Sequence, residues 1–270
     1  MIVNVLRNRG SRSARRLAEA LGVGLITSGS TRRTRGDRFV INWGVGQPQN
    51  QLVQRNLTYS NTAQSVIFCS DKIGTFRSLS RAHVPCVSWV TQEAIELATA
   101  VDGNPNDDEA LNRWMREDGK IVVRHTVTGH SGAGLEIVRR GQPIPVAPLY
   151  TRYFRKHAEY RVHVCYGNVI LIQQKRKENG ADVDTLVRTR ANGWVFTVQD
   201  LSCDTRNYRA ELGVLALDAA RAVGANHCAV DILVNHDSMN KVVVEINSAP
   251  ALEAESSLNA YVEAFRARML

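Results

Sequence analysis

Residues 228–250 read CAVDILVNHDSMNKVVVEINSAP, and this stretch constrains the fold more than any other. Residues 229–234 and 241–246 are short runs rich in Val and Ile, and 235–240 between them is full of turn formers. That is the pattern of two strands joined by a tight loop. Antiparallel pairing with Asn235 opposite Lys241 puts Asp231 opposite Glu245, and directly opposed residues share a face of the sheet. Asn247 lies two residues beyond Glu245, and alternation returns it to that face. An Asp, a Glu and an Asn then stand together, all oxygen donors of the kind that Mg²⁺ prefers beside nucleotide phosphates. The alternative is a wet sheet face carrying solvated side chains. Two details favour a site: Asp231 interrupts the apolar run AVDILV, and SAP after Asn247 stops the strand abruptly.

The totals bound the class. With 270 residues, 44% apolar and 22% charged, the chain can bury a sizeable core and form two or three subdomains. No apolar run approaches the ~20 residues that span a membrane. The opening MIVNVLRNRG lacks the length and cleavage pattern of a signal peptide. Cys69, Cys86, Cys165, Cys203 and Cys228 are scattered, odd in number and free of C-x-x-C pairs. They suggest neither a disulfide framework nor a zinc site and fit a reducing cytoplasm. The net charge of +8 is concentrated: Arg7, Arg9, Arg12, Arg15, Arg16, Arg32, Arg33, Arg35 and Arg38 against Glu19 and Asp37 leave nine less two, or +7, in residues 1–38. One reading is a solvated helix face and loop. The other is an anion-binding surface for an acidic substrate or nucleic acid, to which the fork of Arg is suited.

In chain order, the patterning predicts a strand over 1–6, a helix over 11–21 capped by Ser11 or Ser13 and closed by Gly22, and strands over 23–26 and 39–43. That spacing makes a small α/β unit. Residues 64–69 read as a short strand or a turn of helix. Asp71 is a good N-cap for a helix ending before Val84-Pro85, followed by a strand over 86–90 and a helix over 92–100. The acidic DGNPNDDE at 102–109 reads as a surface loop, and 110–117 as helix. Strands at 120–125 and 135–139 flank the glycine-rich TVTGHSGAG. This turn is no P-loop, because no Gly-Lys-Ser/Thr follows, and no dinucleotide fingerprint, because a strand comes next. It can lay backbone N–H groups against phosphates, or it is a plain flexible hairpin. Strands follow at 149–154, 159–165 and 168–174. In EYRVHV, Glu159, Arg161 and His163 share one face. The return strand ends in Lys175-Arg176-Lys177, a basic, flexible stretch follows to Arg190 before a turn at Asn192-Gly193, and helices at 207–223 and 256–270 complete the chain. Ser, His and Cys form no triad-like grouping.

Taken together, these pieces resemble the ATP-grasp superfamily of carboxylate–amine ligases, and within it the ATP-grasp-like proteins encoded by bacteriophages. Five pieces stand in the family's order across residues 70–255: the Asp71-Lys72 helix, the strand–glycine turn–strand at 120–139, the hinge strand at 149–154, EYRVHV with its hairpin, and VDILV…VVVEINSAP. The last is the most specific and the glycine turn the least.

The resemblance implies an α/β and α+β chain with the ATP-grasp fold, in which the nucleotide is held between two α+β subdomains. A small α/β N-terminal domain at 1–85 would precede a lid subdomain with the flap at 86–148 and a C-terminal subdomain with the Mg²⁺ site at 149–270. It implies phosphate contacts from Lys72 and from Arg124, which stands where the family has a second lysine. Ser131, Gly132 and Gly134 would belong to the phosphate flap, and Tyr150, Arg152 and Tyr153 to the hinge against adenine. Arg152 replaces a common Glu, and Glu159 is a candidate substitute at the ribose. Arg161 and Lys175 would be catalytic, and Asp231, Glu245 and Asn247 the Mg²⁺ ligands. The cofactors implied are ATP and Mg²⁺. The activity implied is ADP-forming ligation of a small-molecule or peptide carboxylate, of acidic character, to an amine, in the cytoplasm (the host's, for a phage protein). A catalytically silent nucleotide-binding protein of the virion or of regulation, and an arginine-rich nucleic-acid binder, remain alternatives. No membrane partner is implied, and a homo-oligomer is compatible.

Overall fold

A computed structural model of the chain describes residues 2–28, 38–47, 57–102, 107–115, 119–128, 134–178, 185–199, 201, 206–235 and 238–269. β1 (Ile2–Arg7), β2 (Gly24–Thr27), β3 (Arg38–Trp43) and β4 (Leu57–Tyr59) form a parallel sheet in the order β2-β1-β3-β4. β4 has only three residues, too few for a readable period. α1 (Arg12–Leu21) returns the chain from β1 to β2. Of the two candidate caps, Ser11 serves: its Oγ accepts from Ala14 N at 3.3 Å. Gly22 closes the helix at φ 69°, the left-handed conformation that glycine adopts without strain. The stripe Ala14, Leu17 and Ala18 packs on Val5, Ile41 and Trp43 of the sheet and on Tyr261 and Phe265 of the C-terminal helix α7 (Glu255–Met269).

Residues 64–69 resolve as helix: Thr62 Oγ1 accepts from Ser65 N at 3.1 Å and starts α2 (Ala63–Ser70). α3 (Lys72–Arg81) follows at once, because the two oxygens of Asp71 accept from Ile73 N and Gly74 N at 3.1 and 3.2 Å.

The second sheet is antiparallel, in the order β5-β8-β6-β7, from β5 (Trp89–Thr91), β6 (Lys120–Arg124), β7 (Leu135–Arg139) and β8 (Leu149–Arg152). Its outer face packs Ile121, Val123, Val138 and Tyr150 against Ile95 of α4 (Gln92–Asp102) and Leu111 of α5 (Asp107–Trp114). β5 starts later than the expected 86, because Cys86 instead makes an isolated parallel bridge to Val243. α5 begins inside the stretch expected to be an acidic loop.

The third sheet is antiparallel, in the order β11-β10-β9-β12-β13, from β9 (Lys156–Cys165), β10 (Asn168–Lys177), β11 (Trp194–Thr197), β12 (His227–Asn235) and β13 (Lys241–Asn247). β11 follows the expected turn at Asn192-Gly193, in a stretch for which the patterning predicts no element. Tyr160, Val162, Val230 and Ile232 pack on Leu212, Ala216 and Ala219 of α6 (Arg206–Ala222). Cys69, Phe76 and Leu79 from α2 and α3 join this core, so these helices pack across the expected division at 85/86. β8 pairs inside the second sheet and crosses the division at 148/149 in the same way.

The hairpin register departs from expectation in one instructive way. Asp231 does lie opposite Glu245, and Ala229 opposite Asn247, but Lys241 faces Val234 rather than Asn235. A bulge between Asp231 and Ile232 leaves Val244 as the extra residue and absorbs the one-residue difference. Bulges sharpen the local twist and re-aim side chains. No helix among the described residues is long and apolar enough to cross a membrane.

Candidate functional site

Alternation sorts β9 into two faces. The apolar face meets α6, and Glu159, Arg161 and His163 take the other side. Arg161 lies opposite Gln173 of β10 on one flank and Asp231 of β12 on the other, and Asp231 lies opposite Glu245 of β13. One row across four strands therefore reads Gln173, Arg161, Asp231, Glu245, with Asn247 on the next row of that face. This face looks across a cleft at the second sheet. The cavity between them is about 810 Å³, lined by Val122, Arg124, Ile137 and Thr151 on one side and by Arg161, Lys175, Asp231, Glu245 and Asn247 on the other. Ligand pockets commonly fall at about 300–1,000 Å³.

Charge is arranged in buried pairs. Arg161 Nε donates to Asp231 Oδ1 at 2.7 Å and Nη2 to Oδ2 at 2.8 Å, a bidentate fork. Burial pushes the Asp231 carboxyl up, and the Arg161 guanidinium more than reverses this, so it sits below its ordinary range. Burial likewise pulls Arg161 down, and Asp231 returns it above its usual value. Lys72, the first residue of α3, places Nζ 3.4 Å from Glu245 Oε1. Lys175 pairs with Glu159 and donates to Arg188 O at 2.8 Å, and Lys156 Nζ is 3.5 Å from the other Glu159 oxygen. Glu159 thus bridges two lysines.

Arg124 differs from these. It ends β6, is 5% exposed, and its Nε has no hydrogen-bond partner among the described residues. Burial pulls its guanidinium below the ordinary value, with Glu245 offsetting part of the fall. A desolvated cation on a cavity wall is stabilised by an anion entering the cavity.

Asp231, Glu245 and Asn247 fit Mg²⁺ on donor chemistry. A carboxylate has about four acceptor positions over its two oxygens, so the two Arg161 bonds leave acceptor capacity on Asp231. Two carboxylates and an amide oxygen are a hard set of the kind that Mg²⁺ shares with phosphates and water. Among the described residues no three His, Cys, Asp or Glu side chains gather in a metal-binding group, which leaves this mixed set as the candidate.

The structure brings Lys72, Arg124, Arg161, Lys175, Asp231, Glu245 and Asn247 together at the cleft. Arg152 and Tyr153 also line it, but the Arg152 Nε donates to Trp114 O at 2.8 Å and its guanidinium lies 4.8 Å over the Trp114 ring. That packing clamps the hinge to the second subdomain. Tyr150 turns its side chain away from the cleft: it is 1% exposed, and its hydroxyl contacts Gln92 Oε1 at 2.7 Å and Ala147 N at 2.8 Å. On a strand, its neighbour Thr151 takes the cleft face instead. Ser131 and Gly132 lie outside the described residues. Gly134 is described: it has φ 70°, and its carbonyl accepts from His125 N at 2.9 Å at the base of the turn.

Several cleft residues were not foreseen. Gln173 joins His163 Nε2 at 2.8 Å and Ser257 Oγ at 3.3 Å, and all three are buried. The alternation of β10 could have found Gln173 through its partner Arg161. Nothing in the sequence signals that Phe196, Trp194 and Arg188 belong here, since the strand carrying the aromatics is four residues long.

An N-terminal parallel α/β sheet followed by two antiparallel α+β sheets, with the charged cleft between the latter, defines an ATP-grasp fold. The chain is similar over its length to solved members of that fold. Against the ATP-grasp ligase PsnB, complexed with a phosphomimetic variant of its minimal precursor, Mg and ADP, the TM-score is 0.70 at 13% identity, covering 99% of this chain and 98% of the other. Against D-alanine–D-alanine ligase from Bacillus anthracis complexed with ATP it is 0.65 at 16% identity, covering 100% and 98%. Against a RimK domain ATP-grasp protein from Sphaerobacter thermophilus it is 0.62 at 16% identity, covering 98% and 99%. No protein-family model matches the sequence, and no curated protein is a significant match.

Proposed function

We propose that the chain is an ATP-dependent, ADP-forming ligase that activates a carboxylate as its acyl phosphate and joins it to an amine. The observation that carries this reading is the row Arg161–Asp231–Glu245 facing the buried, incompletely partnered Arg124 across the cleft. Structures of similar fold were solved with Mg and ADP or with ATP; one is a D-alanine–D-alanine ligase and another holds a precursor variant, which suggests amino-acid or peptide substrates here.

The chemistry has one electrostatic obstacle, the approach of a carboxylate to a triphosphate. Lys72, Arg124, Arg161 and Lys175 would neutralise both anions and the charge on the transferring phosphoryl group. Asp231, Glu245 and Asn247 would hold Mg²⁺, which when bound supplies a further positive charge to the phosphate oxygens. In the first step a carboxylate oxygen bonds to the γ-phosphorus as the bond to the β,γ-bridging oxygen breaks, releasing ADP. In the second, the amine nitrogen bonds to the acyl carbon, the acyl carbon–oxygen bond breaks, phosphate leaves, and the amine loses a proton to solvent. Neither step needs a side-chain nucleophile. The test is ADP release with Mg·ATP across a panel of amino-acid and peptide carboxylates with amines. Wild type turns over with its carboxylate, and Asp231→Asn and Glu245→Gln do not; turnover retained in both variants contradicts the assignment.

A further inference from the structure

Trp194 and Phe196 stand two residues apart on β11 and so share a face. Phe196 is opposite Lys175 in the ladder. The Arg161 guanidinium carbon lies 4.2 Å from the centre of the Phe196 ring, and Lys175 Nζ lies 4.8 Å from the same ring. On Trp194 the Arg188 guanidinium lies at 4.5 Å. Three cations that line the cavity rest on two rings of one short strand.

We propose that Phe196 is a positioning residue for anion binding, its ring holding Arg161 and Lys175 in place so that their unused donors face the cleft. The proposal rests on the ligase reading for the identity of the anion, a nucleoside triphosphate. The carboxylates alone do not do this work. Asp231 takes the Nε and Nη2 edge of Arg161, and Nη1 has no hydrogen-bond partner among the described residues. Glu159 takes Lys175 from one side only. Two like charges this close repel, and the negative face of a single aromatic ring attracts both. An aliphatic side chain of similar bulk fills the space without that attraction.

The experiment compares wild type, Phe196→Leu and Phe196→Trp. Calorimetry measures affinity for Mg·ATP and for inorganic tripolyphosphate, NMR reads the ring-current shift of the Lys175 ε-methylene protons, and thermal melts follow folding. Phe196→Leu weakens both anions about tenfold, or about 1.4 kcal/mol, removes the upfield shift, and still melts cooperatively. Phe196→Trp stays within about twofold of wild type, as the stronger ring for cations should. Wild-type affinity in Phe196→Leu despite loss of the shift overturns the proposal, as does a Phe196→Trp variant as weak as Phe196→Leu. Tripolyphosphate binding that responds to Phe196→Leu in a protein that never releases ADP removes the ligase reading and leaves the positioning role standing. A wild type that binds neither anion overturns both.

Discussion

Arg161 and Asp231 face each other from adjacent strands and share two hydrogen bonds of 2.7 and 2.8 Å, while Asp231 also stands opposite Glu245 on the other side. One carboxylate is therefore both the fold's partner for a buried guanidinium and a candidate metal ligand. Removing it has two consequences that separate. Asp231→Ala leaves Arg161 buried and unpaired, at a cost of about 3–5 kcal/mol. Glu245→Gln breaks no bidentate pair: it weakens a 3.4 Å contact with Lys72 and longer-range attraction to Arg124 and Arg161, and costs less than Asp231→Ala, about 1 kcal/mol. Both abolish Mg²⁺-dependent ADP release. Urea unfolding beside the activity assay checks the contrast; equal stability losses contradict it.

Arg124 should show the opposite trade. It is buried, and its Nε lacks a partner among the described residues. Arg124→Met relieves a buried charge whose desolvation Glu245 offsets only in part, so the melting temperature holds or rises. Affinity for Mg·ATP falls by about 10- to 100-fold, the worth of a charged hydrogen bond at about 1.5–3 kcal/mol. Arg124→Lys keeps the charge but loses the fork and falls between. Calorimetry and melts on the same samples decide this, and a destabilised variant with unchanged affinity contradicts it.

Stability should fall in mild acid. Burial pulls the His163 and His227 imidazoles down to about 4 and about 3. Both are neutral in the folded protein at pH 7. The unfolded chain titrates them near 6.5, so below that pH the unfolded state binds more protons and gains. Each histidine therefore removes up to about 1.4 kcal/mol per pH unit between pH 6.5 and its folded value. The Asp231 carboxyl, held low, adds its loss only below the ordinary carboxylate range. Urea midpoints that stay flat from pH 7 to pH 5 contradict this account.

Gly44 ties the N-terminal sheet to the candidate metal row. It has φ 82°, and a Cβ there would lie 2.7 Å from the Ala249 Cβ, two residues after Asn247. Gly44→Ala costs about 1–2 kcal/mol for the left-handed backbone alone and pushes the 249 loop away. Activity at limiting Mg²⁺ should fall more than activity at saturating Mg²⁺. Equal losses at both contradict the link to Asn247.

The candidate metal row was legible in the sequence because alternation and opposition are local arithmetic. Asp231, Glu245 and Asn247 each sit on strands of seven or nine residues with clear Val and Ile patterning. The pairing was right at the site although wrong at the turn, since the bulge at Val244 lies between the two. Hinge position alone does not say which face a strand residue takes, and the Tyr150 side chain lies on the face away from the cleft. Phe196 and Trp194 carry no such signal because β11 is short and is held by its pairing with β10 rather than by a pattern of its own. Arg16 shows the same limit: it donates to Leu252 O and Glu253 O, each at 2.6 Å, and pins the loop after β13 from the far end of the chain. Period-two or period-3.6 reasoning does not see a contact across that distance.

Calorimetric titration of the intact protein with ATP, with and without Mg²⁺, decides whether the cleft takes Mg·ATP. Wild type should bind one ATP per chain, more tightly with Mg²⁺ than without, and Glu245→Gln should lose the Mg²⁺ dependence while keeping its fold. Absence of ATP binding by wild type, or binding indifferent to Mg²⁺ and to Glu245→Gln, contradicts the account.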